Sequence, residues 1–120
     1  MKDEEGIRKR YLQDDVPIRL GGLAANLSRI RSFSGHDANQ KTVESLLDES
    51  RYFIEWTAAE TGIDTAAEWV ELQIQLARWR RNWPRIWADA SKRRQVAEQA
   101  VQWSNRVLEL SGLLGSCGHA

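Results

Sequence analysis

Five arginines, Arg78, Arg81, Arg85, Arg93 and Arg94, are the side chains of this sequence best suited to bind a partner. A guanidinium stays charged at any physiological pH and presents a rigid fork of N–H donors that matches a carboxylate or a phosphate. Arg81 and Arg85 are four residues apart, so on a helix both address one anion. Arginine outnumbers lysine thirteen to four, a bias toward directed hydrogen bonding rather than diffuse charge. From Arg78 to Arg94 there are seven basic residues and one acid, Asp89. From Tyr52 to Ala77 there are five acids, Glu55, Glu60, Asp64, Glu68 and Glu71, and no base. The totals cancel at 17 basic and 17 acidic side chains, so the chain is no polycation built to coat nucleic acid.

The same basic stretch carries Trp79, Trp83 and Trp87, three of the six tryptophans, at every fourth residue. Alternating rings and cations serve proteins that stack single-stranded nucleic acid. Here, however, Trp69, Trp79, Trp83 and Trp103 all fall on apolar helical seams, which assigns them to a core, and Trp87 borders its seam. Tyr52 and Trp56, one turn apart on the flank of a helix, are either a secondary aromatic patch for a partner helix or flank residues that cover the core.

Other chemistries find little support. The two histidines, His36 and His119, fall in a turn and a tail, and no Glu-x-x-His pair exists for a di-iron bundle. The one methionine is Met1, a poor axial haem ligand, and Cys117 with His119 gives only two metal ligands in a tail. No glycine-rich phosphate loop is present. The expectation is no cofactor and no metal. A single cysteine cannot close an internal disulfide, the start Met-Lys-Asp-Glu-Glu-Gly is charged, and no apolar run approaches the roughly 20 residues of a membrane span. A cytoplasmic location is therefore expected.

Helical periodicity organises the chain from residue 15 onward. Leu20, Leu23, Leu27 and Ile30 form the first stripe, with Asp14 or Asp15 to cap it, Pro17 tolerated in its first turn, Gly21-Gly22 weakening it and Gly35 stopping it. The second helix starts near Asp37, where Asp37 and Gln40 resemble a capping box, and buries Val43, Leu46/Leu47, Ser50, Phe53/Ile54 and Thr57 before Gly62 ends it. A box at Thr65-Ala-Ala-Glu68 opens the third, whose seam Trp69, Leu72, Leu76, Trp79, Trp83 and Ile86 continues in phase past Pro84. That continuity predicts a kink at Pro84; the alternative is a fresh helix capped by Asn82. Ser91 is placed to cap the fourth helix, with Val96, Ala100, Trp103, Val107, Leu110 and Leu114 on its seam and Gly112 or Gly115 at its end.

Four helices of similar length with short links predict an all-α, antiparallel up-down-up-down four-helix bundle over residues 15–114, a charged N-terminal arm over 1–14, partly helical around Ile7 to Leu12, and a flexible tail over 115–120. In such a bundle the third link shares an end with the first, which carries Arg29, Arg31 and Lys41, so one end is basic and the other acidic. Arginine and lysine at the C-termini of the first and third helices complement the helix dipole, whereas Lys92, Arg93 and Arg94 at the start of the fourth oppose it.

Two resemblances add to this reading. Arg31-Ser-Phe-Ser-Gly-His36 has the Arg-x4-His spacing that resembles the ribonuclease motif of HEPN helical-bundle domains. That resemblance implies Arg31 and His36 as RNA-cleaving residues at a dimer interface, although serine follows the arginine where the family has a polar amide or an acid. The segments from Tyr11 to Leu27 and from Glu71 to Trp79 look like parts of small uncharacterised helical-bundle proteins of cyanobacteria, a resemblance that implies no activity. The sequence thus reads as a non-enzymatic helical module that binds a macromolecular partner, a protein or a second copy of itself, through a basic end made of Arg78, Arg81, Arg85, Arg93 and Arg94, with Tyr52 and Trp56 as a secondary patch. The alternative is a nucleic-acid-binding or HEPN-like RNA-processing bundle.

Overall fold

The apolar stripes become helices almost residue for residue. The computed structural model describes residues 4–112. Over these, α1 (Glu4–Leu12), α2 (Val16–Phe33), α3 (Gln40–Thr57), α4 (Ala66–Arg81), α5 (Trp83–Ala88) and α6 (Ala90–Ser111) are joined by short connections, with one 3-10 turn between α2 and α3 and two between α3 and α4, and no strand occurs among the described residues. Leu114 and the tail 115–120, with Cys117 and His119, lie outside the described residues.

The first three stripes point inward throughout. Leu20, Leu23, Leu27 and Ile30 of α2, Val43, Leu47, Phe53 and Ile54 of α3, and Trp69, Leu72, Leu76 and Trp79 of α4 are all buried. Pro17 occupies the first turn of α2, where no N–H is missed. On α6 the phase differs slightly from the expected seam. Trp103 and Leu110 are half-buried flank residues, and Ser104 turns inward instead, its hydroxyl donating to the Ala24 carbonyl at 2.8 Å. A small residue there lets α6 lie close to α2, and these two make the most extensive helix contact.

Side-chain bonds tie the helices to one another. Arg19 near the start of α2 holds Glu60 just past α3, Arg80 at the end of α4 reaches Glu44 and Asp48 in α3, and Arg106 late in α6 grips Glu68 in the first turn of α4.

Four local expectations are corrected. The charged arm, expected to be helical only around Ile7 to Leu12, is helical from Glu4 to Leu12 and docks on the rest through Tyr11, whose ring stacks on Phe53 at 4.0 Å and whose hydroxyl donates to the Arg19 carbonyl at 2.7 Å. The Thr65 capping box does not form. Thr65 Oγ1 donates to the Gly62 carbonyl and accepts the Trp69 indole N–H at 3.0 Å, while Glu68 is taken by Arg106. Asp89 rather than Ser91 caps α6, its carboxylate accepting the Ser91 and Lys92 backbone N–H groups at 2.9 and 3.2 Å.

The fourth correction matters most. Pro84 does not kink one helix; α4 stops at Arg81 and a separate short helix, α5, starts at Trp83. In a continuous helix the Pro84 ring would collide with the Arg80 carbonyl. Asn82 leaves helical geometry at φ −100° and ψ 13°, its side chain donates to the Arg78 carbonyl at 2.9 Å, and its own carbonyl accepts the Arg85 and Ile86 N–H groups. The apolar phase persists across the break because Trp83, Ile86 and Trp87 remain buried.

Trp83 is wholly buried and its indole N–H donates to the Gln40 carbonyl at 3.1 Å. Trp83→Ala is expected to lower the unfolding free energy by about 3–5 kcal/mol, measured by urea denaturation. A loss under about 1 kcal/mol would show that the α4–α5 junction stands without it.

Candidate functional site

The α4–α5 break spreads three arginines around one concavity. Arg78 and Arg81 come from the last turn of α4 and Arg85 from α5, with Asn82 and Pro84 between them. All three are exposed, and none of them forms an ion pair among the described residues. The C-terminal dipole of α4 favours positive charge here. Arg80, in the same turn, behaves differently: Nε lies 2.9 Å from Asp48 and a terminal nitrogen 3.2 Å from Glu44. The chain therefore neutralises one arginine of this turn and leaves its neighbours open.

Arg93 and Arg94 belong to a second cleft, of about 400 Å³, between the end of α2 and the start of α6. Arg31, Ser34 and Gly35 form the α2 side, and Glu98 is the acid that lines it. Arg94 and Arg31 are exposed and free of ion pairs among the described residues. Arg93 is committed internally. It lies 2.9 Å from an Asp37 carboxylate oxygen, and its guanidinium carbon sits 4.7 Å from the centre of the Trp87 ring. That stacking position with a carboxylate partner is why a cation is tolerated where the α6 dipole opposes it. Asp37 also accepts the Trp87 indole N–H on its backbone carbonyl at 3.3 Å.

The five arginines named from the sequence are thus divided between two concavities, with Arg93 serving the fold. Arg31 joins Arg94 in the second. His36 is exposed and extended at φ −124° beyond the end of α2, and it does not line the cleft that Arg31 enters. Among the described residues, no three histidine, cysteine, aspartate or glutamate side chains gather as a metal site. No described helix is long and apolar enough to cross a membrane.

Tyr52 and Trp56 are half-buried and stack on each other at 5.4 Å, while Trp56 also meets Tyr11 at 5.9 Å and Phe53 at 6.1 Å. The helix that covers this aromatic patch is the chain's own α1. Glu4 of α1 lies close enough to hold the Tyr52 phenol above its ordinary range by its negative charge. Sequence reasoning missed Tyr11 as the partner because a nine-residue charged segment shows only a weak apolar stripe. It read Asp37 as a capping-box residue with Gln40, but no such cap forms; the carboxylate goes to Arg93, and pairing over 56 residues leaves no local signal.

Comparison with known proteins identifies no relative: no protein-family model, curated protein or solved structure matches this chain.

Burial pushes the Tyr11 phenol from its ordinary 10.0 up to about 12, with the Thr57 hydroxyl opposing the rise. The phenol keeps its proton longer when folded. The stabilisation is therefore complete below pH 10.0 and is lost as pH climbs toward about 12. Denaturant titrations at pH 9 and pH 11 are expected to show a smaller alkaline loss of stability in Tyr11→Phe than in the parent; equal losses would contradict a buried, protonated Tyr11.

Proposed function

We propose that this chain is a non-enzymatic helical-bundle module that docks an acidic segment of a partner protein on its basic end, with Arg78, Arg81 and Arg85 as the primary contacts and Arg94 beside Arg31 as a second set. The observation that carries this reading is the unequal treatment of adjacent cations. Arg80 and Arg93 have carboxylate partners, while Arg78, Arg81, Arg85 and Arg94 are exposed without one among the described residues. Surface guanidinium groups arranged around a concavity suit forked contacts to carboxylates. The neutral total of 17 basic and 17 acidic groups favours a local acidic target over a long polyanion.

The architecture we infer is an up-down-up-down bundle of α2, α3, α4 with α5, and α6, with α1 as an added clasp. Antiparallel ion pairs between α2 and α3, α3 and α4, and α4 and α6 support it. The single cysteine supports a reducing, cytoplasmic setting.

A fluorescein-labelled oligoglutamate peptide and a single-stranded RNA oligonucleotide of equal charge serve as probes. Arg81→Glu/Arg85→Glu is expected to weaken glutamate-peptide binding by about tenfold or more while the melting temperature stays within about 2 °C, because both side chains are exposed. Binding that survives the double reversal would sink the reading. RNA binding that is stronger than peptide binding and falls steeply with salt would replace it with the nucleic-acid alternative.

A further inference from the structure

The other end of the helices presents the opposite chemistry. Val70 and Ile74, one turn apart on α4, are 58% and 47% exposed although both are large and apolar. They border a groove of about 390 Å³ between the end of α3 and the start of α4, together with Trp69, Ala58 and Ala59. Isolated exposed aliphatics are ordinary; a contiguous pair beside an apolar groove marks a contact surface.

Charge identifies what that surface fits. Glu55 lines the groove, and exposed Asp64 and Glu71 lie beside it in sequence on the turn into α4 and on α4 itself. Glu60 and Glu68 of the same stretch are held by Arg19 and Arg106, but Glu55, Asp64 and Glu71 form no ion pair among the described residues. Gln73 also lines the groove. Its Nε2 donates to the Arg51 carbonyl at 3.0 Å, while its buried Oε1 accepts no hydrogen bond. An apolar floor with the Glu55 carboxylate in its lining, and two further exposed carboxylates close by in sequence, suits a ligand that is apolar on one side and cationic along its edges.

We propose that the α3–α4 groove docks an amphipathic helix of a partner protein that carries aliphatic side chains on one face and lysine or arginine on its flanks. A second copy of this chain is the poorer occupant. A twofold contact through this face would set Glu55, Asp64 and Glu71 against their own copies, and like charges across an interface oppose association. An amphipathic helix laid in a groove instead matches aliphatic side chains to Val70 and Ile74 and cations to the rim. The surface uses none of the arginines at the basic end and stands or falls apart from them.

The probes are two fluorescein-labelled peptides with leucine on one helical face and either lysine or glutamate on the other. Both are titrated against the full chain carrying Arg81→Glu/Arg85→Glu, which removes the basic end as a site for glutamate; there the lysine peptide is expected to bind and the glutamate peptide to bind far more weakly. Val70→Asp/Ile74→Asp should weaken the lysine peptide by about tenfold or more. Should that variant lose thermal stability, Glu55→Lys/Glu71→Lys, at two exposed positions, decides the matter: it should weaken the lysine peptide and admit the glutamate peptide. Binding unchanged in Arg81→Glu/Arg85→Glu separates this surface from the basic end. Equal binding of the two peptides overturns the proposal, as does insensitivity to the Glu55/Glu71 reversal. Light scattering that shows a dimer dissociated by Val70→Asp/Ile74→Asp overturns it in favour of a second copy.

Discussion

The basic end is organised by two indole N–H groups that need acceptors away from water. A buried N–H without a partner costs about 1–3 kcal/mol, so wherever Trp83 and Trp87 pack, carbonyls must be waiting. Those carbonyls belong to Gln40, the first residue of α3, and Asp37, in the 3-10 turn just before it. A straight continuation of α4 is barred by Pro84, and a short independent helix places both rings over the start of α3 instead. The positions of Arg81 and Arg85 follow, because they flank the residues that had to turn inward. Arg93 is drawn into the same arrangement from α6 through the Trp87 face and the Asp37 carboxylate.

Seen this way, ion pairs and open charges divide the work of the surface. The paired arginines each tie two helices: Arg19 to the residue just past α3, Arg80 to α3, Arg106 to α4. Exposed pairs of this kind add little to stability individually, about 0–1 kcal/mol, and act more to fix which helix lies beside which. Arg19 is the exception in burial. Its guanidinium is mostly enclosed, bonds the Asp14 carbonyl and Glu60 together, and holds the Glu60 carboxyl below its usual range. Arg78, Arg81 and Arg85, without carboxylate partners, gather at the α4–α5 break, and the Glu55 carboxylate, likewise unpaired, lines the α3–α4 groove.

The sequence was most legible where a single helix explains a residue. Every core position read on α2 and α4 from spacing of three and four is buried, since one apolar face against one neighbour leaves few choices. Legibility failed where two elements compete for the same side chain. Thr65 and Glu68 have the spacing of a capping box, but Trp69 and Arg106 claim them. The persistent phase across Pro84 implied one helix, yet a tight turn at Asn82 can keep phase while breaking hydrogen bonding. For the basic surface, composition identified the arginines, but which ones stay open depended on Asp37, Glu44 and Asp48, far away in the chain.

The close pairing of α2 with α6 makes the core depend on a contact between distant parts of the chain. The Ser104 hydroxyl meets the Ala24 carbonyl 80 residues away in sequence, and α2 with α6 is the most extensive helix contact among the described residues. Until α6 docks, the side of α2 around Ala24 has no cover, even where α3 has already packed on the rest. Local helices can form early, but this long-range joining is the slow step that completes the core, and a chain held short of it offers apolar surface to chaperones.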